Sequence, residues 1–126
     1  MKHLLIALLL LPGVVPAQAD PSPITRALSS GDAATLTQYF DATLELAVLD
    51  EEGMYNKSQA GQLVRKFFTQ YKPASFTEVH QGASRSSDSQ YIIGNLVTNN
   101  GTFRVYLYLS NQAGQLIIQE CRFDRE

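Results

Sequence analysis

The sequence predicts an α+β domain: N-terminal helices, a hairpin and one long helix packed on a curved antiparallel sheet that encloses a cone. Two observations carry this. Residues 58–124 hold one amphipathic helix followed by four strand-like runs and no further helix. Those runs alternate apolar and polar residues, so one sheet face must be covered, and the helix is the element available to cover it.

The chain opens on an export signal. Lys2 and His3 form a short basic head, Leu4 to Leu11 an apolar run too short to span a bilayer, and Ala17-Gln18-Ala19 a small-residue cleavage site. This predicts a signal peptide at 1–19, cleavage between Ala19 and Asp20, and one domain at 20–126 that is periplasmic or secreted. No cysteine stands at the cleavage point to accept a lipid, and no second apolar stretch is expected to serve as a membrane anchor.

Two short helices come next. Ile24, Ala27 and Leu28 face inward from the first, which Gly31 closes; Asp32 caps the second, which carries Leu36, Tyr39 and Phe40. A strand follows at 43–49, with Leu44, Leu46 and Val48 on one face, and Asp50 to Gly53 turns the chain into a short partner containing Met54 and Tyr55.

The long helix is expected at 58–72. Ser58 is the expected N-cap, and Ala60, Leu63, Val64, Phe67, Phe68 and Tyr71 recur at helical spacing as one apolar stripe. Gly61 stands where a capping box would want Glu or Gln, and Lys72-Pro73 ends the helix.

The four strands are expected at 75–81, 90–98, 102–110 and 115–124. Asn100-Gly101 predicts a type I′ hairpin turn, because both residues tolerate positive φ. On the third strand Phe103, Val105, Leu107 and Leu109 face the core, opposite Arg104, Tyr106 and Tyr108. On the fourth, alternation sends Ile117, Gln119, Cys121 and Phe123 inward and Ile118, Glu120, Arg122 and Asp124 outward. On the second, Tyr91 and Ile93 face inward, and a bulge at Gly94-Asn95 brings Leu96 into phase.

Composition narrows the function classes. Removing residues 1–19 takes one lysine from the ten basic side chains and leaves 107 residues with nine basic and twelve acidic, net −3. That balance argues against nucleic acid or an anionic membrane as partner. Cys121 is the single cysteine, expected as a buried small hydrophobe, and with one histidine left there is no zinc spacing and no cofactor motif.

The stretches GMYNKSQAGQLVRKFF, VHQGAS, YIIGNLVT, NGTFRVYLYL and LIIQECRFDRE together resemble an uncharacterised family of small exported bacterial proteins in the nuclear transport factor 2-like superfamily. The resemblance covers roughly residues 24–124 and implies the cone fold but no activity. Gly61 departs from the glutamate that relatives tend to carry.

Two functions are therefore expected. The first is a non-enzymatic domain that binds a small apolar ligand in the cone, lined by Tyr55, Phe67, Phe68, Tyr71, His80, Tyr91 and Gln119, or pairs with itself or another protein through the sheet. The alternative is a proton-transfer enzyme, isomerase- or dehydratase-like, with His80 as base and Tyr55 or Tyr91 as hydrogen-bond donor. The interface residues for a homodimer through the outer sheet face are Arg104, Tyr106, Tyr108, Ile118 and Glu120, with an Arg104–Glu120 pair across strands.

Overall fold

The structure, a computed structural model, describes residues 19–84 and 88–126. Most of the expected signal peptide, 1–18, and positions 85–87 of the polar loop lie outside the described residues. The elements are α1 Ser22–Ser30, α2 Ala33–Gln38, β1 Phe40–Val48, β2 Glu51–Asn56, α3 Lys57–Gln70, β3 Pro73–Ala83, β4 Ser89–Thr98, β5 Gly101–Gln112 and β6 Gln115–Arg125.

The two N-terminal helices form where their caps place them. Gly31 takes the left-handed conformation at φ 71° and closes α1, and the Asp32 carboxylate accepts from the Thr35 N–H to start α2. The long helix starts earlier than expected. Asn56, not Ser58, is its N-cap: the Asn56 side chain accepts from the Gln59 N–H at 2.8 Å and Gln59 Oε1 accepts from the Asn56 N–H at 3.4 Å. This capping box satisfies two end groups at once. Gly61 is therefore not a failed cap; it lies buried where a Cβ would come within 2.8 Å of Thr37 on α2.

The sheet has the order β2-β1-β6-β5-β4-β3. The last four strands form the expected antiparallel meander. The first and last strands lie side by side, β1 running parallel to β6 with Leu46 opposite Cys121. Leu44, Leu46, Phe103, Val105, Leu107, Leu109, Cys121 and Phe123 point inward and are buried beneath α3.

Three register expectations are corrected. The β4–β5 turn is Asn99-Asn100, Thr98 pairing with Gly101; Gly101 alone takes positive φ, 115°, so the turn is not type I′, which needs positive φ at both central residues. The β1–β2 turn is Leu49-Asp50 rather than Asp50 to Gly53, with Leu49 at φ 56°, a conformation costly for a branched residue. The third correction concerns β4 and β6. The bulge near Gly94 lies in β3 at Val79, between Glu78 and His80, so β4 keeps strict alternation with Ile92 and Leu96 inside and Tyr91 and Ile93 outside. A second bulge at Gln119 shifts β6 between its pairings with Tyr108 and Leu109. Ile118 is thereby fully buried and Ile117 half-exposed, the reverse of the expectation.

Candidate functional site

The cone interior is filled by aromatic rings. Phe67 sits at their centre, its ring centroid 4.8 Å from Phe123, 5.0 Å from Phe103, 5.1 Å from Tyr71 and 6.0 Å from Phe68. Edge-on and tilted contacts at these separations are favourable packing. The Tyr71 hydroxyl is held by Arg125, whose Nη2 donates to it at 3.0 Å, and the same guanidinium lies 5.5 Å from the Phe103 ring centroid. Phe67, Phe68 and Tyr71 are thus brought together as core. An open groove of about 320 Å³ lies beside them, bordered by Leu49, Asp50, Glu51, Leu63 and Lys66.

The expected catalytic constellation is divided between two faces. Tyr55 pairs with Leu44 on the core side. His80 and Tyr91 stand on the outer face, their rings tilted against each other with centroids 5.4 Å apart, and His80 is exposed. Gln119 does not line the cone; it is the bulged residue of β6, and its amide meets the Asp41 carboxylate at 3.4 Å. Among the described residues no three metal-binding side chains cluster, and no helix is long and apolar enough to cross a membrane.

The outer face is organised by cross-strand register into two rows. One runs Met54, Glu45, Glu120, Tyr108, Tyr91, Gly82 from β2 to β3; the next runs Glu52, Ala47, Arg122, Tyr106, Ile93, His80. The seam between β6 and β5 divides both. Carboxylates lie on one side and rings on the other. Tyr108 is 36% exposed and Met54 65%, whereas Ala47 is 1% exposed, covered by its larger neighbours.

Arg122 serves the acidic half, its guanidinium 3.2 Å from Glu52, 3.9 Å from Glu120 and 4.0 Å from Asp124. Burial raises the Glu120 pKa above the ordinary carboxylate range; Glu45 and Glu52 add to the rise and Arg122 opposes it. Burial also raises Tyr106, seconded by Glu120. Arg104 does not pair with Glu120: its register partner is Asp124, and its ion pair, at 2.8 Å, is with Glu126. Of the expected interface residues, Tyr106, Tyr108 and Glu120 share the patch, Arg104 lies one row away and Ile118 is in the core.

The residues that alternation alone did not bring forward are Glu45, Glu52, Ala47 and Ile93. Their signal lies in the parallel β1–β6 pairing and in the phase of β4, neither of which a local pattern carries.

These features define an α+β cone of the nuclear transport factor 2-like class, with a packed interior and a two-sided outer face. The chain belongs to the domain of unknown function family DUF4783, whose model matches residues 21–124. It is similar to a DUF4783 family protein from Bacteroides ovatus, at 30% identity over 87% of this chain and 98% of that one, with a TM-score of 0.79. A structure named Rd1NTF2_05 shares 15% identity over 81% of this chain and 90% of that one at a TM-score of 0.66. A protein of unknown function with a cystatin-like fold from Nostoc punctiforme shares 11% over 83% and 84% at 0.60. These two show the fold alone. No curated protein matches the chain.

Proposed function

We propose that this is a non-enzymatic domain that acts by protein association through the outer face of its sheet. One contrast supports the reading: the interior is occupied by the domain's own rings around Phe67, while Tyr91, Ile93, Tyr106 and Tyr108 form a continuous half-exposed patch outside. Ring-rich, partly desolvated patches are what protein interfaces enrich. A small apolar ligand in the centre of the cone would have to displace those rings, and the open groove that Phe67 and Tyr71 edge lies to the side of it. The enzyme alternative meets a different difficulty: of its two donors, Tyr55 stands on the face opposite its base, His80, and Tyr91, whose ring lies 5.4 Å from the imidazole, stands with it outside the cone. The proposal includes export, with residues 1–19 removed and residues 20–126 working in the periplasm or outside the cell.

The experiment is site-specific photo-crosslinking in the producing cell, with a benzophenone side chain at position 108 and, as control, at Lys66 on the helical side. Adducts of defined mass from 108 but not from 66 are expected. Equal labelling from both positions, or none from 108, overturns the reading. Native mass spectrometry of the same protein tests the cone, where a retained small molecule would count against a filled interior. The intact mass reads the N-terminus, expected at Asp20.

A further inference from the structure

We infer that the open groove between α3 and the β1–β2 turn is a binding site for a short apolar peptide with free ends, in its simplest form an apolar dipeptide. The groove lies on the helical side of the domain, so the inference stands or falls separately from the association reading of the outer face.

One wall is a single face of α3, where Leu63, Lys66, Phe67 and Gln70 recur at three- and four-residue spacing. The other wall is the turn, which contributes Leu49, Asp50 and Glu51. About 320 Å³ lies between them, at the small end of the range for ligand sites. That is room for a molecule of a few residues.

Charge selects the kind of molecule. Lys66 stands on the helical wall and two carboxylates on the turn, and among the described residues none of the three has an ion-pair partner. The groove therefore has a positive side, a negative side and apolar carbon from Leu49, Leu63 and Phe67 between them. A peptide with an apolar body matches all three parts, its carboxylate meeting Lys66 and its ammonium meeting Asp50 and Glu51. An internal stretch of a protein has neither end, and a plain hydrocarbon meets none of the charges.

The turn carries a second sign. Leu49 holds its left-handed φ of 56° while its N–H donates to the Phe123 carbonyl at 3.0 Å. Glycine takes that conformation freely and leucine does not. Strain of this kind gathers at ligand sites, and here it sets an apolar side chain in the turn wall between β1 and the two carboxylates. Because the groove is open to solvent, binding is weak and exchanges quickly.

Amide chemical shifts of the isotope-labelled protein, titrated with leucyl-leucine, provide the test. Saturable shifts are expected at residues 49–51 and 63–71, with a Kd on the order of 1 mM. Acetylating the amino end or amidating the carboxyl end should each weaken binding by about threefold to fivefold, the scale of an exposed charge pair. Glycyl-glycine, which keeps both charges and lacks the apolar body, should not bind. Lys66→Gln should weaken the free dipeptide and leave the carboxyl-amidated form unchanged, a pattern that a purely structural lysine would not produce. Leu49→Asn, which suits the left-handed turn, should weaken binding with the fold intact by circular dichroism; if it does not fold, Leu63→Asn on the opposite wall is read instead.

No saturable shift in the groove overturns the inference, and so does equal affinity for the free and the doubly blocked dipeptide. Tighter binding of the blocked form would give the groove to an internal stretch of a protein and overturn it as well. None of these outcomes bears on crosslinks from position 108.

Discussion

The Tyr91 ring lies across Gly82 on the neighbouring strand, so closely that a Cβ at Gly82 would come within 2.3 Å of the ring. The same device recurs on the inner face, where Phe76 lies across Gly94 and a Cβ would meet the ring at 2.4 Å and the Thr77 carbonyl oxygen at 2.6 Å. The two clashes differ in kind. A ring at the surface can swing aside; a paired backbone carbonyl cannot. Gly82→Ala should cost under about 1 kcal/mol and Gly94→Ala about 2–3 kcal/mol in urea melts. Equal costs would contradict the difference.

Phe67→Ala should destabilise the domain by about 3–5 kcal/mol, the range for removing a buried aromatic side chain. The ring touches four others, so the hole cannot close by moving one neighbour. Denaturant melts at matched pH give the number, and a loss below about 1 kcal/mol would mean that the interior is not packed as described.

Cys121 is fully buried on β6, and burial pushes its thiol well above the ordinary range. Only the thiolate reacts quickly, so the native protein should resist an alkylating reagent near neutral pH and become reactive in denaturant. Rapid labelling of the folded chain would show that the strand opens.

Glu120 gives a pH dependence of defined sign. Its carboxyl holds a proton more tightly folded than unfolded, because burial comes first among the causes and Glu45 adds repulsion. The stability tied to that proton is present below the ordinary carboxylate pKa and is lost as pH rises through the raised one. Glu120→Gln should raise the melting temperature at neutral pH, and the gain should disappear in acid. A gain that grows in acid would reverse the assignment.

Much of the fold is legible because its signals are local. The Gly31 cap, the Asp32 cap and the inward run Phe103, Val105, Leu107, Leu109 are each written within a few residues. The local pattern and the structure part where distant residues decide. In β4, Tyr91 and Ile93 are more apolar than Gln90 and Gly94, yet Gly94 is inside because Phe76 needs its space, and Gln90 is inside because Ala19 satisfies it. In β6 the bulge at Gln119 inverts Ile117 and Ile118, and nothing in the local alternation marks it. The outer patch is legible in part, through Tyr106, Tyr108 and Glu120. Its acidic half depends on β1 pairing with β6, a contact made by residues 75 to 78 positions apart.

The hydrogen bond from Gln90 to the Ala19 carbonyl, 3.1 Å long, straddles the cut expected between Ala19 and Asp20. Gln90 is 3% exposed. Scission there would carry the acceptor away with the leader and open the Gln90 amide to water, which would take the carbonyl's place as partner. The strand that carries Tyr91 and Ile93 would then exchange a chain-to-chain contact for a hydrated one.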